Sequence, residues 1–267
     1  MIKITVINDN LPGEVCGSQH GLCFLIEADI RFLFDTGPSD IILGNASKLL
    51  VSLDEIPLIV ISHGHYDHTG GLPFLIGKQL ICHPGALEPK YRKSDGSWNG
   101  IPLTASAIRD KFRVTETRDP LWLSPAVVFL GEIPRLTDFE SISTAFMTSE
   151  GHDDFIPDDS GVAIVTRDGL VIISGCAHAG ICNIVQHARK VTGTEKVYAV
   201  IGGFHLKEDN SVTRKTIQCL EQIKVRHVYP SHCTAMEALR AFADKWESPI
   251  ISSGTVINLP PPLIDQD

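Results

Sequence analysis

The stretch VISHGHYDHTGGL, residues 60–72, places His63, His65, Asp67 and His68 within six positions, directly after a run of apolar β-branched residues. A divalent ion such as zinc needs neutral imidazole nitrogens or anionic oxygens and sulfurs at about 2.0–2.3 Å, with their desolvation offset by the metal charge. A surface turn has no packing reason to gather four such groups, and protonated imidazoles held so close would repel one another. The stretch therefore reads as a metal-binding turn. If it runs on into a helix beginning near Asp67, His63 and His65 face one centre while Asp67 and His68 face another.

One turn cannot complete two coordination shells, so other strand ends must contribute. SGCAHAG offers Cys176 and His178, YPSHCTA offers His232 and Cys233, and GGFHL offers His205, each after an apolar strand and beside small residues that permit close approach. His178 and His232 are the first choices as ligands. His205 divides between ligation and a role in substrate binding or proton transfer, and Cys176 between a ligand and a small buried hydrophobe. Asp35, in FLFDTG, ends a strand at the same edge; it either caps a helix near Ser39 or accepts the free N–H of a ligating histidine and fixes its tautomer, the second being favoured. His83, His187 and His227 adjoin apolar runs or helix surfaces and read as packing residues, and His20 sits in a glycine-flanked loop. His152, Asp158 and Asp159, in EGHDDFIPDDSG, remain secondary site candidates.

These groups need a scaffold that brings distant strand ends together. Short β-rich runs (IKITVI, LCFLIEA, IRFLFD, LIVIS, QLICH, then VAIVT, LVIIS, VYAVIG, HVYP and TVIN) alternate with helical patterns at 39–50, 70–77, 180–191, 211–223 and 234–245. That alternation favours an α/β layered architecture. The order repeats: CFLIEADIRFLFDTG, a helix and LIVIS before HGHYDH correspond to GVAIVTRDGLVIISGCAHAG, a helix and VYAVIGGFH. Two similar halves facing each other would bring both sets of strand ends to one edge, which is where the site belongs. Residues 84–150, rich in proline, read as an irregular middle segment that covers the site and shapes specificity.

The chain has 267 residues, 43% of them hydrophobic, enough for one domain spanning 1–267. Its net charge of −9 disfavours a nucleic-acid partner. Seven cysteines without a CxxC pair fit a reducing cytoplasm, and no apolar run is long enough to span a bilayer, so neither secretion nor membrane insertion is expected. The expected partner is a small molecule. The basic run KYRK, residues 90–93, reads first as solvated charge and second as a receptor for a substrate phosphate.

SHGHYDHTGG matches the HxHxDH signature of the metallo-β-lactamase superfamily, and FDTG, GCAHAG and YPSHC resemble its later strand-end motifs. Within it, HGLCFLIE, SHGHYDHTGGL, GCAHAGICN, GGFHL and YPSHCTA look most like the group named after 7,8-dihydropterin-6-methyl-4-(β-D-ribofuranosyl)-aminobenzene-5'-phosphate synthase. The resemblance implies a four-layer αβ/βα sandwich with one or two divalent ions between its halves, zinc being the first expectation and manganese or iron the alternatives. It also implies that His63, His65 and His178 hold one ion and Asp67, His68 and His232 the other. Many of the hydrolases carry a bridging aspartate where this chain has Cys176, so the bridge here is either a thiolate or missing, and the histidine that usually precedes the second hairpin has its nearest counterpart in His152. The chemistry implied is hydrolysis of a small phosphodiester, lactone or thioester by a metal-activated water, with Asp67 orienting that water and His205 donating a hydrogen bond to the developing charge or leaving group. The alternative is a transferase that joins a pterin to an arylamine phosphate.

Overall fold

Successive strand residues point into two different buried environments. Phe24, Ile26, Phe32, Phe34 and Val60 pack into one core with Val162, Ile164, Val171, Ile173, Ala199 and Ile201. Their neighbours in sequence turn the other way: Cys23, Leu25, Leu33 and Ile59 meet Ile42, Ala46 and Ile108, and Ala163, Leu170, Ile172 and Val200 meet Ile184, Leu220 and Phe242. A strand buried on both faces needs a near-continuous apolar run, which explains LCFLIEA and LVIIS. The result is helix, sheet, sheet, helix: the αβ/βα sandwich anticipated from the motifs. These features come from a computed structural model that describes residues 1–264; residues 265–267, the end of the domain expected from the sequence, lie outside the described residues.

The first sheet has seven strands in the order Val256–Leu259, Ile2–Asn8, Cys23–Glu27, Arg31–Phe34, Leu58–Val60, Gln79–Cys82 and Arg113–Glu116. The second has six, in the order His227–Ser231, Val197–Gly203, Gly169–Ser174, Gly161–Thr166, Val127–Phe129 and Leu121–Trp122. Each half opens with an antiparallel hairpin, 23–34 or 161–174. Each then crosses through a helix, Ile41–Lys48 or Ile181–Thr192, to a parallel strand. This is the repeat seen in the sequence. It delivers Asp35, Cys176, His205 and His232 at the C-terminal ends of four strands, beside the turn that carries His63–His68.

Two expectations need correction. The apolar spacing at 70–77 is not one helix: a single turn, Tyr66–Thr69, is followed by a 3₁₀ turn, Leu72–Phe74. Gly70, Gly71, Pro73 and Gly77 break the helical run that Leu72 and Leu75 imitate. The segment 84–150 is also less irregular than its prolines suggest. Arg113–Glu116 extends the first sheet, Val127–Phe129 and Leu121–Trp122 extend the second, and Ala105–Lys111 is a helix. Parts of it reach the site, among them Arg92–Ser94, Asn99 and Ala145–Phe146.

Candidate metal centre

Four strand ends turn into the site through left-handed backbone: Asp35 (φ 60°), Ala177 (φ 56°), His205 (φ 51°) and His232 (φ 51°). Each such conformation at a residue with a β-carbon costs about 1–3 kcal/mol and persists where surrounding structure fixes it. Glycines let the halves meet. A β-carbon on Gly175 would lie 2.0 Å from the Ser62 hydroxyl.

Three imidazoles are held by their far nitrogen. His63 Nδ1 lies 2.9 Å from Ser62 Oγ, which itself donates to Asp35 Oδ2 at 2.7 Å. His68 Nδ1 donates to Asp35 Oδ2 at 2.7 Å. His232 Nδ1 lies 3.0 Å from Asn10 Oδ1, whose amide nitrogen donates to the His232 carbonyl, which fixes the amide's orientation. Each acceptor keeps the proton on Nδ1 and aims the Nε2 lone pair inward. Those nitrogens then converge: His63 Nε2 is 2.9 Å from His65 Nδ1, and His68 Nε2 is 3.1 Å from His232 Nε2 and 3.2 Å from Cys176 Sγ. The Asp67 carboxylate sits 3.4 Å from His232 Nε2 and 3.6 Å from His68 Nε2.

Convergent lone pairs repel unless protons or a cation lie between them. Burial drives the His63 and His178 imidazoles well below their usual range and His65 down to about 3, so all three are neutral and available as ligands. Buried nitrogens of His65 (Nε2) and His178 (Nε2) have no hydrogen-bond partner. Burial would also lower His68, but the Asp35 and Asp67 carboxylates override it and raise His68 to about 9. A proton on His68 thus occupies ground that a cation would take. Asp67, which burial would raise, is held well below the usual carboxylate range by His68 and His232. The donor set is nitrogen, oxygen and sulfur, which suits zinc, iron or manganese.

Two sets of donor atoms, each within 4.8 Å of one another, are joined by one thiol: Asp67, His68, Cys176 and His232, and His63, Cys176 and His178. Cys176 belongs to both, the position a bridging ligand would hold. His65 stands beside the second group, its ring 4.6 Å from His63 and 4.9 Å from His178. His205 meets the site from the far side, with its ring 4.4 Å from His178.

The sequence profile of the metallo-beta-lactamase superfamily matches residues 17–232. The chain belongs to the metallo-beta-lactamase superfamily. It resembles the 7,8-dihydropterin-6-methyl-4-(beta-D-ribofuranosyl)-aminobenzene-5'-phosphate synthase of Methanocaldococcus jannaschii, 37% identical over 273 aligned positions that cover 92% of each chain. It superposes on Tm1679, described as a metal-dependent hydrolase of the beta-lactamase superfamily, with a TM-score of 0.87 at 27% identity, over 97% of this chain and 100% of that one. A diphosphatase of the PhnP family shares the fold at TM-score 0.59 and 12% identity, over 99% of this chain and 100% of that one. This metallo-beta-lactamase-type chain is therefore an enzyme with a divalent-metal site.

His152 lies outside that site, its side chain 77% exposed and paired with Glu150 at 3.4 Å. His178 instead packs against His63 and His65. Asp159 accepts the Ala179 N–H at 2.9 Å and braces that turn. Asp158 accepts the Gly64 N–H at 2.8 Å and Lys90 Nζ at 2.6 Å. The KYRK run is accordingly not all solvated charge: Lys90 is buried, and against burial, which favours neutral forms, it and Asp158 keep each other ionised. Asp35 does not cap a helix; it braces Ser62 and His68. The sequence reading missed two partners. Asn10, two residues past the first strand, holds His232. His20 places Nε2 3.4 Å from Asp67 Oδ2 and stacks on His232 with ring centres 5.1 Å apart. The glycine after His20, which lets the loop close on Asp67, is the one local signal for it. A Gly21 β-carbon would lie 2.4 Å from the Asp67 carbonyl.

Proposed function

We propose that this enzyme is a metal-dependent hydrolase of a small ester-type substrate, a phosphodiester, lactone or thioester, that carries an anionic group. The observation that supports it best is the convergence of His63, His68 and His232 Nε2, each with its opposite nitrogen held by a separate acceptor. His63, His65 and His178 would hold one ion and Asp67, His68 and His232 the other, with Cys176 between them. Bound divalent ions would supply a water reactive at neutral pH and would polarise a phosphoryl or carbonyl oxygen. Asp67, ionised and facing the same space, accepts a hydrogen bond from the attacking water and fixes its direction. The His205 ring lines the cavity and is placed to donate to the developing negative charge or to the leaving group.

The cavity above these residues measures about 310 Å³, room for a small molecule. Arg92, Lys93, Lys207, Asn99 and Phe146 line it, Arg92 and Phe146 as cross-strand partners. Such a rim favours a substrate with a phosphate or carboxylate, the flanks of the middle segment thereby setting specificity. A second reading, transfer of a pterin to an arylamine phosphate, is favoured by the name of the relative from Methanocaldococcus jannaschii.

One experiment separates the two: metal-loaded protein is given phosphodiester, lactone and thioester substrates, and an activated pterin donor, each with and without an acceptor arylamine phosphate. Cleavage products that form independently of the amine support hydrolysis. A joined product that requires the amine supports transfer and overturns the hydrolase reading. Substitution of both Arg92 and Lys207 by Ala is expected to raise KM for the anionic substrate about tenfold or more, each lost charge-assisted contact being worth about 1.5–3 kcal/mol at most.

A further inference from the structure

Beside the two ligand groups, the loops after three strands bring together a different kind of donor set. Cys176 follows Gly169–Ser174, His205 follows Val197–Gly203 and Cys233 follows His227–Ser231. Both thiols and one ring nitrogen of His205 lie within 4.8 Å of one another. The loops are stitched by backbone contacts: the His205 N–H donates to Cys233 Sγ at 3.3 Å, the Cys233 thiol donates to the Cys176 carbonyl at 3.5 Å, and the Gly203 N–H donates to the Gly175 carbonyl at 3.0 Å. A β-carbon on Gly203 would come within 2.6 Å of Cys233 Sγ, so the glycine is what admits the sulfur.

Three observations point to a ligand at this cluster. The thiols are almost fully buried, at 3% exposure for Cys176 and 7% for Cys233, yet both line the substrate cavity. His205 Nδ1 is a buried nitrogen without a hydrogen-bond partner. Cys233 Sγ already accepts an N–H bond, an interaction that also stabilises a thiolate.

We propose that Cys176, His205 and Cys233 form a third cation site, selective for a soft divalent ion such as zinc, which shares only Cys176 with the other two ligand groups. Binding exchanges the Cys233 proton, which leaves to solvent, for the metal, while Cys176 contributes the thiolate it already presents between the other two ligand groups. Three protein ligands leave a fourth position open towards the cavity. Occupancy recruits the His205 ring as a ligand and withdraws it from the substrate, so excess zinc opposes the donor role of His205.

Cobalt(II) tests this directly, because thiolate ligation to cobalt gives a near-ultraviolet charge-transfer absorption that needs no substrate. Metal-free protein is titrated with cobalt while absorbance and retained metal are measured, in wild type, Cys233→Ser and His205→Gln. The proposal expects a late increment of absorbance and of bound cobalt that is lost in both variants. In cobalt-loaded wild type it further expects slower alkylation of Cys233 than in metal-free wild type, read by mass spectrometry; this holds even if a variant folds poorly. An unchanged increment in Cys233→Ser, or alkylation of Cys233 as fast in the loaded as in the metal-free wild-type protein, overturns it. The readout is independent of turnover, so it stands or falls separately from the hydrolase reading.

Discussion

Replacing Asp35 by asparagine is a demanding test of how the site is held. The buried carboxylate accepts three hydrogen bonds, each of 2.7 Å: from the Ser62 N–H and hydroxyl, and from His68 Nδ1. Asparagine has nearly the same shape and can still accept the Ser62 N–H through its oxygen. Its NH₂ group, however, then faces His68 Nδ1 and cannot accept a proton from it. Once His68 gives up its second proton, as metal binding requires, the remaining one must sit on Nε2, the atom that lies 3.1 Å from His232 Nε2 and 3.2 Å from Cys176 Sγ. The lone pair required for a metal is thereby removed. Loss of an orienting partner of this type costs about 10–100-fold in metal affinity, equivalent to about 1.4–2.7 kcal/mol. The metal-free protein should also lose about 1.5–3 kcal/mol of stability, the usual value of a hydrogen bond to a charged group. Chelator competition measures the first quantity and urea unfolding in the presence of a chelator measures the second. Metal bound as tightly by Asp35→Asn as by wild type would refute the argument that Asp35 sets the His68 tautomer.

Asp67→Ala should nearly abolish turnover while far-ultraviolet circular dichroism stays native; retained full activity would remove Asp67 from the mechanism. Gly64→Ala should destabilise by about 1–3 kcal/mol or more in denaturant melts, because its β-carbon would lie 2.1 Å from the Ala86 carbonyl. Burial raises Asp159 from 3.8 to about 7, so between those values the folded chain binds a proton that the unfolded chain has lost, and stability falls as pH rises through that window. Asp159→Asn, which can still accept the Ala179 N–H, should therefore gain stability relative to wild type at pH above about 7 but not near pH 4, by up to about 4 kcal/mol in chelated protein; equal pH profiles for the two proteins would contradict this.

The candidate metal turn was legible because residues of one chemical type crowd a single short segment after a buried strand. Asp35, His178, His205 and His232 were legible because each ends an apolar strand, so the fold's periodicity fixes which edge they reach. Asn10 and His20 follow no such rule. Their contacts depend on how residues 9–22 fold back over the first sheet, and polar residues in such a loop resemble any solvated turn. Lys90 misled for a related reason: its charge is neutralised by Asp154 and Asp158, more than sixty positions away in sequence. The strand Val127–Phe129 is short and flanked by Pro125 and Gly131, which concealed its place inside the second sheet, while the 3₁₀ turn at Leu72–Phe74 borrowed the spacing of a helix without the residues to sustain one.

The most direct test of the central claim is an X-ray absorption edge scan with anomalous difference maps on crystals of protein purified without added metal. The account predicts a transition-metal edge and anomalous density flanking Cys176, with His63 and His178 on one side and Asp67, His68 and His232 on the other. A crystal in which a metal edge is present but the density lies away from these residues, or in which metal-supplemented protein leaves all of them uncoordinated, would contradict it.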